Sequence, residues 1–209
     1  MVDGPTYDQT FWEALWAKTV REHAGVLAER PPTPHLLKEV AGLAPGRAVD
    51  AGCGHGTDAL WLAAHGWRVT GLDFSDAALA YARARAESLD PEIAARVEWA
   101  QADLGAWTPA PRRYDLISCM YVHMAGSVEA AVERLAEGVA PGGTLLMVGH
   151  RPIDPSTGAE TAAAGQNQVS VEAAVAALDR ADWDLLAEER PRAAAGTGVD
   201  AVIRARRRR

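Results

Sequence analysis

The spacing of apolar residues changes along the chain, and each change marks an element. Trp12, Leu15, Trp16, Thr19 and Val20 recur at helical spacing, so residues 1–45 read as helical until Arg30-Pro31-Pro32-Thr33-Pro34 breaks them. A second short helix over 35–41 ends near Gly42, and Pro45-Gly46 turns the chain into its first strand. From there the pattern alternates. Strands are predicted over 48–51, 68–73, 96–102, 114–120 and 144–149, and helices over 58–65, 76–88, 127–139 and 170–180. Thr57 and Ser75 are expected as helix N-caps, with Gly66 as a stop. The 114–120 run is almost continuously apolar, which suits a strand covered on both faces. Two late strands, 184–189 and 200–205, have no helix between them. They should pair as a hairpin, with one strand antiparallel to the rest. Alternating strands and helices predict an α/β fold: a mostly parallel sheet with helices on both faces.

Composition narrows the class. The 209 residues suit a single α/β domain in which 1–45 form a helical lid or cap. A hydrophobic share of 48% and a charged share of 23% are ordinary for a soluble protein. No run approaches the length of a membrane span. Residues 1–10 carry Asp3 and Asp8 and no apolar core, unlike a signal peptide. The net charge of −7 argues against a nucleic-acid partner. The tail Arg204-Ala205-Arg206-Arg207-Arg208-Arg209 reads as a solvated, frayed end, with an anionic partner site as the other reading. Cys53 and Cys119 form neither a disulfide framework nor a zinc pattern, which points to a reducing, cytoplasmic setting with no metal.

The most informative stretch is Val49-Asp50-Ala51-Gly52-Cys53-Gly54-His55-Gly56, which follows a strand and opens a helix. Its glycines let the backbone turn sharply and approach a ligand. Asp73 ends the second predicted strand, where an acid in a doubly wound fold accepts from ribose hydroxyls. Asp103 follows the third strand, where an acid can accept from an adenine amine. A dinucleotide is a poor alternative. The fingerprint Gly-x-Gly-x-x-Gly, counted from Gly52, puts Thr57 at its third glycine, and Asp58 would repel a phosphate.

This arrangement resembles the class I S-adenosylmethionine-dependent methyltransferases over residues 46–150. The resemblance rests on Asp50 to Gly56, Gly71-Leu72-Asp73-Phe74-Ser75, Asp103-Leu104, Tyr114-Asp115-Leu116-Ile117-Ser118 and Pro141-Gly142-Gly143-Thr144-Leu145. It implies a Rossmann-like seven-stranded sheet in the order 3-2-1-4-5-7-6, with strand 7 antiparallel. It implies S-adenosylmethionine as cofactor and S-adenosylhomocysteine as product. Gly52 and Gly54 would pass beneath the methionine part, with Asp50 close to it. Asp73 would hold the ribose, Phe74 would pack on the adenine, Asp103 would bond its amine, and the Leu104 N–H would reach the ring. Cys53 and Met120 complete the expected cofactor set. The Cys53 thiol itself reads as packing, because no basic neighbour is visible to activate it.

Acceptor chemistry is expected at the ends of strands four and five, which carry Tyr121, His123, His150 and Arg151. His123, ahead of His150, is a general base or orients the acceptor; otherwise both histidines bond loop backbone. Tyr121 bonds the acceptor or walls the pocket. Arg151 is solvated or favours an anionic acceptor. Tyr7, Phe11, Trp12 and Trp16 either pack on the sheet layer or close as a lid over cofactor and acceptor. The polar segment 154–168 is a further candidate for substrate contact. Three functions remain open: methyl transfer to a small molecule, another reaction on the same fold and cofactor, or a non-catalytic cofactor-binding partner. The expected partner is a small molecule, with no nucleic acid or membrane, and the protein is a monomer or homodimer.

Overall fold

Helix α1 (Gln9–Glu29) begins where the Asp8 carboxylate accepts from the Phe11 N–H at 2.9 Å, and it kinks at His23 (φ −135°, ψ 23°). It ends before Pro31-Pro32, and α2 (Pro34–Val40) starts with Pro34 in its first turn. Then come β1 (Arg47–Ala51), α3 (Thr57–Ala64), β2 (Arg68–Asp73), α4 (Asp76–Glu87), α5 (Pro91–Ala94) and β3 (Val97–Gln101). The remaining elements are β4 (Tyr114–Met120), α6 (Val128–Glu137), β5 (Val139–His150), α7 (Val171–Ala177), β6 (Trp183–Pro191) and β7 (Val199–Arg207). The computed structural model describes residues 8–124, 126–154, 157–161, 163–192 and 198–209, so Tyr7 lies outside the described residues. The sheet order is β3-β2-β1-β4-β5-β7-β6, and β7 is antiparallel to both β5 and β6, as the resemblance implies. Among the described residues no helix is long and apolar enough to cross a membrane.

The chain divides into two compact units, residues 1–107 and 108–209. In the first, β1, β2 and β3 are parallel, with Val49, Leu60, Leu62, Leu72 and Leu79 buried. Burial of each such side chain contributes roughly 1.5–3 kcal/mol. Trp99 lies flat across two glycines of this unit. A Cβ at Gly71 would come within 2.6 Å of its ring, and one at Gly56 within 2.7 Å. In the second unit β4 pairs parallel with β5, around a core of Leu116, Ile117, Leu145, Leu146, Met147 and Ile203.

Several boundaries differ from the predicted ones. Gly56, in the left-handed region at φ 80°, caps α3 in place of Thr57. The Thr57 hydroxyl instead accepts from Arg85. Ser75, Ser127 and Ser170 do cap their helices, accepting from the N–H three residues on. α5 is a single turn, too short to show a period. α6 stops at Glu137, and β5 begins at Val139 because the Pro141-Gly142-Gly143 stretch sits inside an irregular strand that bulges opposite Tyr114 and Leu116. The basic tail is not frayed: β7 runs through Arg207, whose guanidinium lies 4.5 Å from the Trp183 ring and donates to the Ala136 carbonyl.

Because Trp99 already fills the space beside Gly71, Gly71→Ala is expected to destabilise the protein by about 1–3 kcal/mol, measured by urea unfolding.

Candidate functional site

The register of the parallel strands brings acids together in the first unit. Asp50 pairs with Gly71, and Asp73 pairs with Gln101. Both acids therefore finish adjacent strands, with Asp103 two residues beyond β3. The loop after β1 is built on left-handed glycines, with φ of 78° at Gly52, 51° at Gly54 and 80° at Gly56. Gly52 and Cys53 both donate their N–H to the Leu72 carbonyl at 2.8 Å. The Asp73 carboxylate secures the rest. Its Oδ2 accepts from the Gly54 N–H at 2.8 Å and its Oδ1 from the Ser75 N–H at 3.0 Å. Burial raises the Asp73 pKa above the usual carboxylate range, while these backbone bonds pull it down. The Phe74 N–H also bonds this carboxylate, which keeps acceptor capacity for a further donor.

Neighbouring residues differ in exposure. Asp50 is buried, and Asp103 is exposed with its Oδ1 bound to the Gly105 N–H at 2.8 Å. Phe74 and Leu104 are half-buried. Burial, with Asp50 and Asp73 beside it, pushes the Cys53 thiol well up, which disfavours the thiolate.

α1 lies directly on this loop. Gln9 donates to the Phe74 carbonyl at 3.0 Å, and the Glu13 carboxylate accepts from the Ala77 N–H at 3.2 Å. Tyr81 and Arg85 of α4 donate to the α1 carbonyls of Ala24 and Ala28. Trp16 covers Gly54, where an added Cβ would come 2.6 Å from its ring, and it leans on His55 with ring centroids 5.7 Å apart. Burial, aided by Arg30 and Arg85, lowers the His55 pKa to about 4. Phe11 and Trp12 meet edge to face at 5.3 Å.

The second unit holds a separate polar cluster. The antiparallel register sets His150 opposite Asp200. Asp200 is 1% exposed. Its Oδ1 lies 2.8 Å from His150 Nδ1 and accepts from Arg192 Nε at 3.0 Å, while its Oδ2 accepts from the Tyr121 hydroxyl at 3.0 Å. The Tyr121 ring stacks on His150 at 4.2 Å, held by a left-handed backbone (φ 58°) whose N–H donates to the Val148 carbonyl. The Gln168 side-chain oxygen accepts from the His150 N–H at 2.7 Å. Gln166 hydrogen-bonds His123, whose pKa is lowered by burial and by nearby His150. Met120 is half-buried at the end of β4.

Tyr121, His123 and His150 are thus brought together, as their strand ends suggested. Arg151 is not solvated. Glu189 holds its guanidinium at 2.7 Å and Glu172 at 3.3 Å. A cavity of about 370 Å³ is lined by His150, Arg151, Gln166, Asn167, Ser127 and Ser170. Asp200 and Arg192 are the residues that sequence reasoning missed. A lone acid in the apolar run Val199-Asp200-Ala201-Val202-Ile203 was the available signal.

Residues 48–143 match the family described as methyltransferase domain. The trans-aconitate 2-methyltransferase of Paracidovorax citrulli is 36% identical over 120 residues, covering 56% of this chain and 43% of that protein. The chain thus spans under half the length of that relative. Among solved structures, an S-adenosylmethionine-dependent methyltransferase from Mesorhizobium loti shares the fold with a TM-score of 0.64 at 23% identity, covering 82% of this chain and 95% of the other. The [4+2]-cyclase SpnF shares it with a TM-score of 0.73 at 15% identity, covering 98% of each. Residues 48–143 are thus similar to methyltransferase domains, and the sheet order is one that solved methyltransferase structures share.

Proposed function

We propose that the protein transfers the methyl group of S-adenosylmethionine to a small molecule. The observation that carries this reading is the loop of left-handed glycines anchored by the Asp73 carboxylate, with Asp50 and Asp103 at the neighbouring strand ends. These residues fit the cofactor. The glycines present bare backbone to its methionine part, Asp73 has lone pairs left for the ribose hydroxyls, and Asp103 is exposed to accept from the adenine amine. Phe74 and Leu104 flank the adenine position, with Cys53 as a packing neighbour. When bound, the cofactor supplies an electrophilic methyl group, and the contribution of the protein is alignment and exclusion of water.

The other assignments follow from the same reading. α1 serves as a lid, with Phe11, Trp12 and Trp16 over the loop, and residues 1–209 work as one domain. The cavity beside His150 is of a size for a small acceptor, which supports that substrate class. The charge of −7 supports a protein without a nucleic-acid partner, and the two buried free cysteines support a cytoplasmic setting. Because a cyclase shares the fold, product decides the reaction. A screen of acceptors with S-adenosylmethionine is expected to release S-adenosylhomocysteine and a methylated product; acceptor conversion without that release would replace methyl transfer by another reaction.

Two variants test the binding side. Asp73→Ala is expected to weaken S-adenosylhomocysteine binding by roughly 1–3 kcal/mol, about fivefold to 150-fold, by calorimetry. Unchanged affinity would remove Asp73 from the site. Trp16→Ala should uncover His55 and move its NMR titration midpoint from about 4 towards 6.5, because burial is the main cause of the shift. An unmoved midpoint would show that α1 does not shield the loop.

A further inference from the structure

We infer that His150, held by Asp200, is the general base of the acceptor site, and that the methyl acceptor therefore arrives as a protonated O–H or N–H nucleophile. The inference rests on the methyltransferase reading and names the substrate class within it.

Asp200 is the starting point. A carboxylate buried in an apolar strand is costly unless donors surround it. Here Arg192 Nε, the Tyr121 hydroxyl and His150 Nδ1 all face it, within 2.8 to 3.0 Å. A carboxylate is an acceptor only, so Nδ1 carries the hydrogen in this bond. That leaves the lone pair of the neutral ring on Nε2. Arg192 balances the charge of Asp200 while His150 is neutral. When Nε2 takes a proton, the imidazolium forms against a carboxylate already in contact with it.

The ring is also fixed in orientation. Tyr121 stacks on its face, and that stacking is maintained although Tyr121 adopts a left-handed backbone conformation that side-chain-bearing residues rarely take. Gln168 holds the His150 backbone N–H. His123 is bonded by Gln166, a neutral amide, while the buried carboxylate lies against His150. Asp200 is thus a positioning residue and His150 the catalytic one, which reverses the order expected from sequence.

The acceptor class follows from what such a pair is for. Carboxylates, thiolates and halides attack without losing a proton, so a fixed base gives them nothing. Arg151, a cation in the cavity wall, is already engaged by Glu189 and Glu172, so the wall is not set to receive an anion. With a hydroxyl or amine acceptor the step balances. The heteroatom forms a bond to the methyl carbon as the carbon–sulfur bond breaks, and that electron pair leaves on sulfur. The heteroatom's proton passes to His150 Nε2.

Asp200→Asn tests the pair with little change of shape. Nitrogen-15 NMR of the resting protein is expected to show His150 with its hydrogen on Nδ1 in the wild type and on Nε2 in the variant, where the introduced amide donates to the ring. Phenol and primary-amine probes with S-adenosylmethionine should release S-adenosylhomocysteine, while trans-aconitate and iodide should not. Asp200→Asn should lower that release about 100-fold or more in kcat, with unchanged S-adenosylhomocysteine affinity. Tyr121→Phe keeps the stack and loses one bond to Asp200, so a smaller fall, about tenfold, is expected, and it serves if Asp200→Asn does not fold. A wild-type hydrogen on Nε2, turnover only with the anionic probes, or turnover indifferent to both variants overturns the inference. Release with no probe at all overturns the methyltransferase reading and the acceptor class with it, while the NMR result still decides how His150 is held.

Discussion

A carboxylate taken out of water must find hydrogen-bond donors, and that requirement sets the geometry of both sites. In the first unit the donors are backbone. Asp73 can be buried because Gly54 and Ser75 give it N–H groups, and the same bonds fix the loop and start α4. In the second unit the donors are side chains. Asp200 can be buried because Arg192, Tyr121 and His150 converge on it, and their convergence is what orients the imidazole. One physical demand, met with two kinds of donor, makes a rigid loop in one place and a directed nitrogen in the other.

The first of these was legible in the sequence and the second was not, for a physical reason. A strand, a glycine turn and a helix cap are local events, so the positions of Asp50, Gly54, Asp73 and Ser75 follow from spacing alone. The bond between Asp200 and His150 depends on the register of two strands 50 residues apart in sequence. A period-two pattern gives the faces of each strand but not the offset between them. The same limit hid the partners of Arg151, which come from Glu172 and Glu189. The tail differs for another reason. The strand predicted over 200–205 continues to Arg207, an extension that the final run of arginines hides.

Fold likeness carries little about reaction here, since a methyltransferase and a cyclase share it with this chain. Chemistry has to be read from the residues at the strand ends. A relative named for methylation of trans-aconitate matches 120 residues of this chain, while the proposal for His150 and Asp200 calls for an acceptor that must lose a proton. In the proposed reading, cofactor use and acceptor choice rest on different residues.

The direction of β7 has a consequence in time. Because that strand runs against its neighbours, its first residues, not its last, meet the end of β5. The loop closed by Asp73 joins residues 19 apart, while the His150 ring waits for a partner 50 residues further along. Contacts close in sequence form early and distant ones late. During synthesis the glycine loop can therefore be complete while the imidazole still turns freely, and its ring is oriented only when the hairpin zips onto β5.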